Sequence, residues 1–121
     1  ICERLILEFD SKIPSDIDTL ISFEGVGRKT ANLVLTEGFG ISAMCVDTHV
    51  HRISNRLGFI KTKNPEESEY VLRKKLPLKY WNNYNWLLVA FGQHLCKPIS
   101  PYCSICPVNK YCKKVNVEKS R

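Results

Sequence analysis

The chain has 121 residues, 44% of them hydrophobic, and a formal net charge of +6. That content suits a packed protein rather than a disordered one, and no window is long and apolar enough to span a membrane. The basic balance favours a polyanionic partner such as nucleic acid, though charge alone does not exclude an ordinary basic soluble protein.

Helical periodicity begins at the first residue, with Ile1, Leu5 and Leu7–Phe9 on one face. The opening Ile-Cys-Glu-Arg-Leu has neither an initiator Met nor the anatomy of a signal peptide, so upstream sequence is expected to precede it. Ser11–Ser15 contains Pro14 and predicts a loop. Asp16 or Ser15 caps a short helix over Ile17–Phe23, with Leu20 and Ile21 inward. Glu24-Gly25-Val26-Gly27 is a tight turn. A second helix runs from Arg28 to about Glu37 with Ala31, Val34 and Leu35 on its apolar side, and Gly38 and Gly40 end it. Cys45-Val46 is extended, and Asp47 and Thr48 open a third helix to about Leu57, stopped by Gly58. Asn64-Pro65-Glu66-Glu67 opens the next, with Pro near the first turn and acids where the helix dipole favours them. That helix ends before Pro77. The longest helix spans about Lys79 to Leu95, and Trp81, Tyr84 and Trp86 on it are read as core rather than as base-stacking platforms. Cys96 to Cys112 is a loop rich in Pro and Cys, and Val115–Arg121 a solvated tail. There is no internal repeat and no strand-like alternation, so the fold class is all-α.

Helix, Gly-Val-Gly, helix is the layout of a helix-hairpin-helix motif. Gly25 and Gly27 allow backbone angles that other residues resist. A turn without side chains can press against a DNA backbone, and its amides, next to the helix start at Arg28, can donate to a phosphate oxygen. Val26 fills the gap between the helices. Such contacts position DNA without reading its sequence. An ordinary helix–turn–helix connection would also contain GxG, but the longer string from Leu20 to Ala31 favours the DNA reading.

Six cysteines occur, and Cys96, Cys103, Cys106 and Cys112 cluster near the C-terminus. Without a secretory signal, such clustering argues for metal over disulfides. Four thiolates suit an iron–sulfur centre and are compatible with zinc. Structural zinc usually shows two close Cys pairs, and only Cys103/Cys106 is one here.

Gly25-Val26-Gly27-Arg28-Lys29-Thr30-Ala31-Asn32, then Val46-Asp47-Thr48-His49-Val50-His51-Arg52, resembles the active-site sequence of the endonuclease III family, and the Cys-x6-Cys-x2-Cys-x5-Cys spacing matches that family's cluster loop. The likeness covers nearly the whole chain. It implies the C-terminal part of the helix-hairpin-helix DNA glycosylase fold: residues 1–41 as part of a helical barrel, with the hairpin at about 17–37, and residues 42–121 as an iron–sulfur domain, with the cluster loop at 96–112. It implies a bifunctional DNA glycosylase and abasic-site lyase of base-excision repair, acting as a monomer on oxidised pyrimidines and abasic sites in double-stranded DNA. Lys29 is then the nucleophile and Asp47 its partner. Gly25, Val26, Gly27, Arg28 and Thr30 contact DNA, and Cys96, Cys103, Cys106 and Cys112 hold a 4Fe-4S cluster.

The residue types suit the chemistry. A Lys amine can attack C1′, expel the base and form a Schiff base, which acidifies the C2′ proton and permits β-elimination. A carboxylate can stabilise positive charge developing on the sugar or assist proton transfer. Adenine-specific and thymine-mismatch glycosylases of similar sequence typically lack Lys at this position, so Lys29 argues against a monofunctional enzyme. The alternatives are such an enzyme, a non-catalytic DNA-binding fragment that keeps hairpin and cluster, or a zinc-binding interaction domain. Two departures stand out: Glu24 occupies the place of a usual Pro, and Lys97 is the sole cation between Cys96 and Cys103, with Lys110, Lys113 and Lys114 as candidate replacements. His49, His51 and His94 read as packing or hydrogen-bonding residues, and Cys2 and Cys45 as ordinary buried or semi-buried thiols. The expected location is with the DNA, in a bacterial or archaeal cytoplasm, or in the nucleus or mitochondrion of a eukaryote.

Overall fold

The computed structural model describes residues 1–121 and contains helices and turns without a strand. In order these are α1 (Cys2–Glu8), α2 (Ile17–Ile21), α3 (Arg28–Leu33) running into a π-helical turn at Val34–Gly38, α4 (Thr48–Leu57), α5 (Pro65–Lys75) and α6 (Trp81–His94). A 3-10 turn at Leu78–Tyr80 precedes α6, and two more follow it at Cys103–Ile105 and Asn109–Tyr111.

Side-chain caps set three of the helix starts. Asp16 accepts from the Thr19 amide at 2.9 Å, Asp47 from the Val50 amide at 2.9 Å, and Asn64 from the Glu67 amide at 2.8 Å. Each satisfies one of the donors that a helix start leaves without an intrahelical acceptor. The Thr19 bonds also hold the Asp16 carboxyl below its ordinary pKa. Gly58 ends α4 at φ 81°, left-handed as a C-terminal stop requires.

The chain divides into two compact units, Ile1–Cys45 and Val46–Arg121. In the first, Leu20, Ala31, Leu35 and Ala43 form a buried cluster, with Ile17, Ile21, Val26 and Val34 packed against it. Val26 thus does fill the gap between α2 and α3. Phe9 and Phe23 meet at 5.5 Å, and the Arg4 guanidinium lies 4.4 Å above the Phe23 ring while donating to the Ser22 carbonyl. In the second unit, Val50, Ile53, Ile60 and Leu72 are buried between α4 and its neighbours. Ser54 joins Tyr84 of α6 at 2.7 Å, and the His51 ring joins Ser68 of α5 at 2.6 Å. Burial raises the Tyr84 pKa, the Ser54 bond opposing it, and lowers that of His51, with Glu67 opposing.

Several sequence expectations are corrected. The helix begun at Arg28 does not stay α-helical to Glu37. The Thr36 hydroxyl bonds back to the Asn32 and Leu33 carbonyls, at 3.3 and 3.2 Å, where the helix widens; such local bonds compete with the helix ladder. Trp86 is 56% exposed rather than core, and Cys2 is exposed. On the apolar face of α1, Ile1 and Leu7 are exposed while Leu5 and Phe9 are partly buried. The last segment is solvated as expected, with only Val117 partly buried, but it is tethered: Val115 N–H donates to the Arg56 carbonyl at 3.0 Å, and Arg121 exchanges main-chain bonds with Pro101 and Ser104 at 2.8 and 2.9 Å. The Arg121 guanidinium lies 4.2 Å above the Tyr102 ring.

Candidate nucleic-acid interface and thiolate centre

In the first unit, α2 turns into α3 through Phe23–Gly27, with the Val26 amide donating to the Phe23 carbonyl at 3.2 Å. Gly25 has φ +83°, a region that side chains resist. Gly27 does not: at φ −96° and ψ −175° it is extended backbone open to any residue. What Gly27 contributes is its missing side chain. It is the N-cap of α3 and supplies no cap hydrogen bond, in contrast to the Asx caps of α2, α4 and α5. A Cβ at either glycine would meet no atom within 4 Å, so the outer face of the turn is open. The start of α3 therefore presents backbone donors where an external acceptor can approach. Lys29 and Thr30 are exposed, and Arg28 and Val26 partly so. Lys29 is held through its main chain, whose carbonyl receives the Cys45 thiol at 3.6 Å. Glu24 is exposed on the same turn.

In the second unit, Asp47 is partly buried at the head of α4, one carboxylate oxygen fixed by the Val50 amide. Two guanidiniums project from the same helix. Arg52 Nη2 meets His49 Nδ1 at 2.9 Å and donates to the Cys96 carbonyl at 2.8 Å. Burial, then Arg56, pulls the Arg52 pKa below its ordinary value, and Cys96 and Asp47 act in the opposite sense. Arg56 donates from Nη1 to the Lys97 carbonyl at 2.7 Å and from Nη2 to the Pro98 carbonyl at 2.7 Å.

Cys96, Cys103, Cys106 and Cys112 all line one small cavity, walled by apolar groups including Ile53, Phe91 and Leu95. Four thiols around one shared space are a donor set that suits a thiolate-held iron–sulfur group and is compatible with zinc.

Sequence reading missed the part played by Arg52 and Arg56. Their signal was present: like charges at i and i+4 repel on a helix unless something else partners them. It also missed Gly92 of α6. A Cβ there would overlap the His49 ring and come within 2.8 Å of Arg52 Nη2, so this glycine lets α4 and α6 approach.

A family model described as HhH-GPD superfamily base excision DNA repair protein matches residues 2–78. The chain belongs to the HhH-GPD superfamily. Among curated members, an endonuclease III of Thermotoga maritima is 47% identical over 109 residues, 90% of this chain and 51% of that protein. That of Bacillus subtilis is 40% identical over 93% of this chain and 52% of its own length. Endonuclease III homolog 1, chloroplastic, of Arabidopsis thaliana is 43% identical over 95% and 32%. A solved endonuclease III–DNA trapped covalent intermediate superposes with TM-score 0.86 at 40% identity, covering 93% of this chain and 54% of that one. A thermostable thymine-DNA glycosylase, TM-score 0.80 at 23% identity, shares the HhH-GPD fold. The chain spans about half the length of its bacterial relatives and about a third of the plant one.

Proposed function

We propose that this chain is the catalytic and cluster-bearing segment of a base-excision repair enzyme, a bifunctional DNA glycosylase and abasic-site lyase for oxidised pyrimidines in double-stranded DNA. The observation that carries the reading is Lys29: an exposed residue in the first turn of α3, two residues beyond the open Gly25-Val26-Gly27 turn. Gly25, Val26, Gly27, Arg28 and Thr30 hold the phosphate backbone beside it. The target nucleotide leaves the stack, since C1′ is hidden in the duplex.

Lys29 Nζ attacks C1′ as its neutral amine. The glycosidic electrons leave with the base, which takes up a proton, and the sugar ring opens to give a Schiff base on Lys29. The C2′ proton is then lost, and its electrons expel the 3′ phosphate by β-elimination. Water hydrolyses the imine and frees the amine. Asp47 stabilises positive charge on the sugar in the first step or carries protons between steps. Its cap bond to Val50 fixes the carboxylate for that task. Cys96, Cys103, Cys106 and Cys112 would hold a 4Fe-4S cluster, which when bound ties down a loop with little core of its own.

The relatives named endonuclease III, at 40–47% identity across most of the chain, support this assignment. The test is borohydride trapping on an abasic-site duplex. The native chain should give a covalent protein–DNA adduct, and Lys29→Ala none. A chain that binds the duplex and holds iron yet gives no adduct would refute lyase activity in this segment and leave a DNA-binding module.

A further inference from the structure

We propose that Arg56 is the positioning residue of the thiolate centre and sets its reduction potential. The inference rests on the proposed cluster. In the last turn of α4, Arg56 reaches the first cysteine of the loop with its side chain and the last with its backbone. Nη1 donates to Cys96 Sγ at 3.3 Å, and the guanidinium also spans the next two carbonyls, Lys97 and Pro98, at 2.7 Å each. The Arg56 carbonyl faces Cys112 Sγ at 3.5 Å and accepts from Val115 N–H.

Charge gives this geometry its direction. The partners of the Arg56 guanidinium are a sulfur and two carbonyls, with no carboxylate among them. A partly buried cation without an anionic partner is costly. Cys96 as a thiolate supplies the missing negative charge. The arrangement therefore favours an anionic, thiolate-ligated group, and favours it more as that group gains an electron. Hydrogen bonds to the sulfurs and local charge are what tune such potentials. Arg56 raises the potential, and its loss lowers it.

The experiment compares native protein, Arg56→Lys, Arg56→Gln and, as a control, Arg121→Gln, whose guanidinium bonds Ser100 and Tyr102 rather than a sulfur. Iron and sulfide content and the absorbance spectrum come first, and a native chain without iron would overturn the cluster reading itself. Voltammetry on the loaded proteins follows. The potential should fall in Arg56→Gln, fall less in Arg56→Lys, which keeps the charge but not the fork, and stay put in Arg121→Gln. Should the Gln variant not fold, Arg56→Lys against the control decides the matter. Loaded variants with the native potential would reduce Arg56 to a packing residue and overturn the inference.

Discussion

Gly27→Ser should stabilise the protein and weaken its hold on DNA, two effects of opposite sign from one hydroxyl. Gly27 is the N-cap of α3, its backbone is extended, and a Cβ there meets nothing within 4 Å. Serine is therefore tolerated, and as a better cap than glycine it should add a few tenths of a kcal/mol, about 0.3. Its hydroxyl would accept from the Lys29 or Thr30 amide. If those amides are what a DNA phosphate uses, the phosphate loses a charge-assisted hydrogen bond of about 1.5–3 kcal/mol, or roughly ten- to a hundred-fold in Kd. Urea denaturation reads the first effect. Fluorescence anisotropy with an abasic-analogue duplex reads the second, at one fixed salt concentration because phosphate contacts are salt-dependent. Gly25→Ala is the contrast: at φ +83° it should cost about 1–2 kcal/mol of stability. A Gly27→Ser protein that binds DNA like the native one would refute the amide grip. One destabilised as much as Gly25→Ala would refute the account of the turn.

Three further outcomes follow from the second unit. Asp47→Asn keeps a good cap, so stability should change by less than about 0.5 kcal/mol, while glycosylase turnover should fall by about a hundred-fold or more; full activity would leave Asp47 with capping alone. His51, whose pKa burial lowers, is favoured neutral in the fold. Its contribution is present above its unfolded value near 6.5 and is lost as pH falls through the lower folded value, so denaturation midpoints should drop more steeply between pH 7 and pH 5 in the native protein than in His51→Asn. Gly92→Ala improves helix propensity by about 1 kcal/mol, yet should destabilise by about 1–3 kcal/mol through overpacking against His49 and Arg52. A rise in melting temperature there would contradict the close approach of α4 and α6.

The helix starts were legible because caps are local: Asp16, Asp47 and Asn64 each bond an amide three residues on. The α2–α3 turn was legible for the same reason, with Gly27 misread because a glycine in a turn does not disclose its φ. The four cysteines were legible as a set from spacing, and they do share one cavity. Features made by residues distant in sequence were hidden. Arg56 finds its acceptors in Lys97 and Pro98, Gly92 matters through His49 and Arg52, and the tethering of the solvated last residues shows only when Arg121 is seen against Pro101 and Ser104. Trp86 was misjudged because helical spacing identifies a face without saying which face is buried.

The returning C-terminal segment changes how the cysteine loop meets its cofactor. After Cys112 the chain comes back to α4 through Lys113 N–H on Leu57 and Val115 N–H on Arg56, while Arg56 grips the residues after Cys96. Both ends of the loop are thus pinned to one helical turn by ordinary folding. Closing a free loop of this length costs about 2.5 kcal/mol in chain entropy, and these main-chain and guanidinium bonds offset part of that cost. The loop behaves as a socket whose rim is held by the chain's own hydrogen bonds. Amide exchange in the iron-free protein should then find the Lys113 and Val115 N–H groups still protected; free exchange at both would mean that the metal builds the rim.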